Sequence, residues 1–172
     1  MRFFSSLFLV CATPLLVLPG PVLAERPALP PCAPARIDAQ APAVDLHELR
    51  GRVVLIDFWA SWCAPCAHAF GFLNALQDEF GARGLTVVGI SVDKDAADAR
   101  RFLQRYPASF PTAIDSGGEC PRAFGVKAMP SSYLVDREGR VVEVHRGFRN
   151  GDVTERRRAV MKLLDEARGG GR

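Results

Sequence analysis

The run Val53-Val54-Leu55-Ile56-Asp57-Phe58-Trp59-Ala60-Ser61-Trp62-Cys63-Ala64-Pro65-Cys66 decides how this chain folds. Val53 to Phe58 is almost continuously apolar and rich in β-branched residues, the pattern of a strand covered on both faces. From Ala64 to Phe80 the apolar residues Phe70, Leu73, Leu76 and Phe80 recur at helical spacing. Pro65 falls in the first turn of that helix, where a missing N–H costs nothing. Cys63 therefore stands at or just before a helix N-terminus. The N–H groups there carry partial positive charge and favour a thiolate, the reactive form of cysteine. A free thiol titrates near pH ~8.5, and CxxC cysteines in such positions fall to roughly 3.5–7.5. Cys66, one turn further on, is in reach of Cys63, so the pair can close a disulfide and reopen it by exchange. Cys63 is read as the attacking sulfur and Cys66 as the resolving one.

The stretch from Phe58 to Cys66 resembles the thioredoxin superfamily, and within it the TlpA/ResA-like extracytoplasmic thiol–disulfide oxidoreductases, which share the form FWASWCxPC. The resemblance extends from about Ala43 to Ala167. It includes the run Leu85 to Asp93 and the run Gly125-Val126-Lys127-Ala128-Met129-Pro130-Ser131-Ser132-Tyr133-Leu134-Val135-Asp136. It implies an α/β, thioredoxin-like fold: a central mixed sheet flanked by helices, with the extra strand–helix segment of the TlpA and peroxiredoxin branch. No metal and no cofactor is called for. A zinc site needs two more ligands at site spacing, and a c-type haem site needs His directly after the second Cys, where Ala67 stands.

Residues 1–24 read as a signal peptide, with Arg2, an apolar core and a small-residue cleavage site at Val22-Leu23-Ala24. The protein is accordingly expected in the periplasm; an uncleaved anchor facing the periplasm is the alternative. Residues 25–42 are rich in Pro and Ala and read as an extended linker with no packing of its own. Residues 43–168 form the thioredoxin-like domain, entered through a short strand and turn around Val44, Leu46 and Leu49, and 169–172 form a frayed tail. The chain holds 22 Lys and Arg against 19 Asp and Glu. That near balance argues against a nucleic-acid partner, and a monomer is expected.

Downstream, Leu85 to Val92 reads as a buried strand and Asp93 to Tyr106 as a helix capped by Asp93 or Asp95. A short strand is expected over 110–115, helical turns from Glu119 to Phe124, and a hairpin of Ser132–Val135 with Val141–Arg146 around the Asp136–Arg140 turn. The last helix is expected over Gly151–Ala167. Its Arg156-Arg157-Arg158 run reads as a solvated face.

Asp57 is a charge inside an apolar strand. It is either an edge carboxylate in water or a buried acid with a raised pKa that exchanges a proton with the resolving thiol. The resemblance implies the second, since Asp57 matches the buried acid of thioredoxins. It also implies a cis Met129–Pro130 bond against the CxxC, with Met129, Pro130 and Trp62 binding substrate. Trp59 reads as a site residue or as plain core. Three positions depart from the family, which carries a basic residue, Glu and Pro where Ala67, Ala69 and Gly71 stand, so its redox potential does not carry over. Ser131 replaces the Glu that follows the proline in CcmG-type relatives of cytochrome c maturation.

Cys11 leaves with the signal peptide. Beside Cys63 and Cys66 remain Cys32 and Cys120, which either bridge or stay free thiols. The function implied is reduction of disulfides in exported protein substrates, with electrons from a DsbD/CcdA-type membrane reductase. A disulfide oxidant or isomerase is the rival enzyme, although Ala64-Pro65 lacks the His usual between their cysteines. A non-catalytic thioredoxin-like module, gripping a partner or handling copper, is the rival outside enzymology.

Overall fold

The computed structural model describes residues 26–38, 40 and 43–169. The expected signal peptide and residues 170–172 of the expected tail lie outside the described residues. Six strands form one sheet: β1 (Ala35–Arg36), β2 (Val53–Trp59), β3 (Leu85–Ser91), β4 (Thr112–Ile114), β5 (Ser131–Val135) and β6 (Val141–Arg146). Four α-helices accompany them: α1 (Ala64–Phe80), α2 (Ala96–Arg105), α3 (Glu119–Ala123) and α4 (Val153–Gly169). The strand order is β1-β4-β3-β2-β5-β6. β2, β3 and β4 run parallel, joined by the helical crossovers α1 and α2, while β5, β6 and β1 are antiparallel to their neighbours. The fold is therefore the thioredoxin-like mixed sheet flanked by helices.

β2 is buried at all seven positions, because it lies in the sheet interior with helices or chain on both faces. Alternate side chains point to opposite faces. Val53, Leu55 and Trp59 pack with α1, α2 and α4, while Val54, Ile56 and Phe58 pack with Phe124, Tyr133 and Cys120 on the other side. α1 buries Phe70, Leu73, Leu76 and Phe80. α2 starts at Ala96, the first residue of its apolar pattern, so of the two expected caps it is the later one that serves. Asp95 is its cap and accepts a hydrogen bond from the Ala97 N–H at 2.8 Å.

Three segments differ from the sequence reading. Residues 26–38 are not a free linker. β1 pairs with β4, Ile37 is buried, the Leu29 N–H donates to the Gly139 carbonyl at 2.8 Å, and Cys32 is bonded to Cys120. The physical reason is that the second sheet face has only the five-residue α3 to cover it, and the N-terminal segment supplies the rest with Leu29, Cys32, Leu46 and Leu49. Among the described residues there is no strand near Val44 as expected; residues 46–50 are bends and turns, and the edge strand comes earlier, at β1. In α4, Arg156 is not on a solvated face but 4% exposed. It stands four and seven residues before Val160 and Leu163, so helical periodicity puts it on the sheet side. Arg157 does face outward, paired with Glu79. α4 also runs to Gly169, two residues beyond the expected end.

Candidate active site

The end of β2 and the start of α1 build the site. β2 stops at Trp59, and the chain turns through Ala60-Ser61-Trp62 into Cys63, the N-cap residue of α1. The turn is tied at both ends. The Cys63 N–H donates to the Ala60 carbonyl at 3.1 Å and the Val92 N–H to the Trp59 carbonyl at 2.9 Å. Asp93, 2% exposed, accepts from the Ser61 N–H at 3.0 Å, from the Ser61 hydroxyl at 2.8 Å and from the Ser91 hydroxyl at 2.8 Å. Its clamp on the residue two places before Cys63 escaped the sequence reading, which saw in Asp93 only a candidate cap for α2.

Cys63 and Cys66 are joined in a disulfide, with their Cα atoms 5.4 Å apart. Cys66 is fully buried, whereas Cys63 is 5% exposed and lines two surface grooves of about 490 Å³ each. One groove is mainly apolar and is lined by Trp62, Pro65, Val92, Pro121, Val126 and Met129, with Lys127 at its edge. The other lies along α2 and carries Arg101, Arg105 and Tyr106. Trp62, 69% exposed, contributes to both grooves. The Met129–Pro130 peptide is cis, and Pro130 is buried. Trp59 belongs to the core, against Phe70 and Phe102 at ring distances of 5.2 and 4.7 Å. His68 is exposed on α1.

Asp57 is fully buried, in register with Ser132 of β5 on one side and Gly89 of β3 on the other. Loss of water pushes its carboxyl up to about 6, against the opposing pull of a hydrogen bond from Ser132 and the charge of Arg156. The Ser132 hydroxyl donates to Asp57 Oδ1 at 2.5 Å. Gly89 leaves the space that the Trp59 indole and the Phe110 ring fill, since a Cβ there would sit 3.1 Å from both. Cys32 and Cys120 form the second disulfide, closing 88 residues of chain. Among the described residues no cluster of three or more His, Cys, Asp or Glu could hold a metal.

The Redoxin family model matches residues 27–161. The chain belongs to the Redoxin family of the thioredoxin superfamily. Among its curated relatives is the thiol-disulfide oxidoreductase ResA of Bacillus thuringiensis subsp. konkukian, 30% identical over 110 residues. That match spans 64% of this chain and 64% of the relative. Among solved structures, one from Chlorobium tepidum, described as a thiol:disulfide interchange protein DsbE, superposes with a TM-score of 0.78 at 38% identity. It covers 83% of this chain and 99% of that one. A thiol:disulfide interchange protein from Bacteroides sp. gives 0.69 at 26% identity, covering 87% and 95%. The TM-scores of 0.78 and 0.69 agree with the thioredoxin-like fold described above.

Proposed function

We propose that this protein is an exported thiol–disulfide oxidoreductase that reduces disulfides in protein substrates outside the cytoplasm. The observation that carries the reading is the asymmetry of the CxxC: Cys63 opens onto two grooves at a helix N-terminus, while Cys66 is sealed beneath it. In this reading the Cys63 thiolate attacks a substrate disulfide and forms a mixed disulfide. Cys66 then gives its proton to Asp57, and its thiolate attacks the Cys63 sulfur, releasing the substrate thiolate and closing Cys63–Cys66. The oxidised pair is reset by two electrons from a membrane reductase of the DsbD/CcdA type, the donor implied by the TlpA/ResA resemblance.

The substrate segment lies in extended form across Trp62, Met129 and Pro130, its apolar side chains in the groove walled by Pro121 and Val126. Export is supported by the leader-like residues 1–24 and by a second disulfide, which persists in oxidising compartments. No helix among the described residues is long and apolar enough to cross a membrane.

The test is the reduction potential of Cys63–Cys66 against dithiothreitol, followed by Trp62 fluorescence, together with insulin-reduction turnover. A potential near or below about −250 mV with turnover supports the reductase. A potential near −120 to about −180 mV would reassign the protein as an oxidant or isomerase. No turnover by intact, folded protein would make it a binding module.

A further inference from the structure

Asp57 is held by Ser132, and Ser132 in turn by Arg156. On β2 Asp57 stands between Leu55 and Trp59, on the sheet face that also receives Cys66 of α1. Its Oδ1 is engaged by the Ser132 hydroxyl at 2.5 Å, while its Oδ2 is buried and takes no hydrogen bond from the described residues. Ser132 in turn accepts from Arg156 Nη2 at 2.5 Å. A hydroxyl has one proton to give. With a cation on its lone pair, Ser132 must turn that proton toward Asp57.

Arg156 is fixed for the task. Its guanidinium lies 5.0 Å from the Phe72 ring centroid and 5.9 Å from that of Phe148, and only 4% of the residue is exposed. Arginine stays protonated when buried, so a permanent charge sits one hydroxyl away from the acid. A cavity of about 10 Å³, room for one water, adjoins the pair and is lined by Leu55, Ser132, Glu143, His145, Arg156 and Val160. The ionisable groups around this pair are few. β6 brings Glu143 and His145, Asp152 before α4 holds His145 Nε2 at 3.0 Å, and α1 brings Cys66. Gly89 on β3 brings none.

We propose that Arg156, acting through the Ser132 hydroxyl, is a positioning residue for the redox centre: it aims the Ser132 proton at Asp57 Oδ1 and leaves Oδ2 as the atom that takes the Cys66 thiol proton. The inference rests on Asp57 being the proton acceptor. In the step concerned the Cys66 S–H bond breaks, its proton joins Oδ2, and the electron pair left on Cys66 Sγ forms the bond to Cys63 Sγ. The substrate sulfur leaves with the electrons of the mixed disulfide. The charge of Arg156 also opposes the effect of burial, keeping the acid ionised at neutral pH, when it must accept.

The experiment uses the reduced protein and four variants, Ser132→Ala, Ser132→Thr, Arg156→Met and Arg156→Lys, with Asp57→Asn as control. Carboxyl carbon resonances report the titration midpoint of Asp57. Single-turnover reaction with oxidised glutathione, read by Trp62 fluorescence, separates mixed-disulfide formation from release. Ser132→Ala and Arg156→Met are expected to raise the midpoint by about one pH unit, the low end of what an opposite charge does. Release at pH 6.5 should then slow about threefold, the fall in ionised acid that such a shift implies. Formation should be unchanged, Ser132→Thr should restore the wild-type midpoint, and Arg156→Lys should restore most of it. A midpoint unmoved in both Ser132→Ala and Arg156→Met overturns the inference, even where Asp57→Asn slows release. An Asp57→Asn variant with unaltered release removes the acid from the mechanism and this inference with it. If Arg156→Met does not fold, the Ser132→Ala and Ser132→Thr pair decides, since a hydroxyl lost and regained alters little else.

Discussion

A carboxylate in the middle of a seven-residue buried strand is costly, and Asp57 is expected to leave a thermodynamic trace. Burial raises its carboxyl from 3.8 to about 6. Because the folded value lies above the unfolded one, its contribution to stability is fully present below about pH 4 and is lost as pH rises through about 6. A shift of that size corresponds to about 3 kcal/mol between pH 4 and pH 8. Asp57→Asn removes the titration. Urea unfolding of wild type and variant across that range, both disulfides intact, should show wild type losing about 3 kcal/mol relative to the variant. Parallel pH profiles would mean that Asp57 ionises at no cost and is not sealed as described. The same residue shows where sequence stops. A charge inside an apolar run signals a special site, but its partners are 75 and 99 residues away in Ser132 and Arg156, and only the β2–β5 register and the placement of α4 bring them together. Asp93 escaped for a similar reason: an Asp after a strand reads as a helix cap, and its bonds to Ser61, 32 residues away, depend on the parallel pairing of β2 with β3.

Among the elements, β2 and α1 were legible because both are decided locally, by a continuous apolar run and a period of 3.6. β6 matches its expected bounds for a related reason, since a turn with Asp136 and Gly139 leads into it; the Asp136 Oδ1 accepts from the N–H groups of Glu138 and Arg140. β1 was not legible, because two residues carry no period and the strand exists only through its pairing with β4. Arg156 was misread because three consecutive arginines look solvated unless the phase of α4 against the sheet is known. α1 itself carries an avoidable weakness. Gly71 is exposed in mid-helix, and a Cβ built there meets nothing within 4 Å. Gly in a helix interior is roughly 0.5–1 kcal/mol less favourable than Ala. Gly71→Ala should therefore stabilise the protein by about that amount and raise the thermal midpoint by ~2–4 °C. Calorimetry of the oxidised protein checks this. A lowered midpoint would mean that α1 needs a soft point at Gly71 to pack against the sheet.

For the molecule as a whole, the two sheet faces are unequally covered. One carries α1, α2 and α4; the other has α3 and an N-terminal segment with almost no secondary structure. That segment is held by a two-residue strand, by hydrogen bonds from the Leu29 N–H to Gly139, from the Val141 N–H to Pro27 and from Arg100 to the Ile37 carbonyl, and by the Cys32–Cys120 bridge. The bridge is covalent, whereas the other ties can open with local fraying, so the disulfide is expected to keep this face closed when they do. The bridge spans 88 residues, long enough for a large restriction of the unfolded chain. Replacing both cysteines by alanine should cost about 2–5 kcal/mol in urea unfolding. It should also open residues 26–38 to protease before the rest of the domain unfolds. The consequence reaches the site, since Cys120 precedes Pro121, which walls the apolar groove beside Cys63. With α3 no longer stapled, the KM for insulin should rise while kcat stays close to wild type, because the Cys63–Cys66 pair and Asp57 lie on β2 and α1 and are untouched. Equal stability in the double variant would show that β1 and Leu29 suffice to hold the segment. A fall in kcat at unchanged KM would place the influence of the bridge on the redox pair itself rather than on the groove.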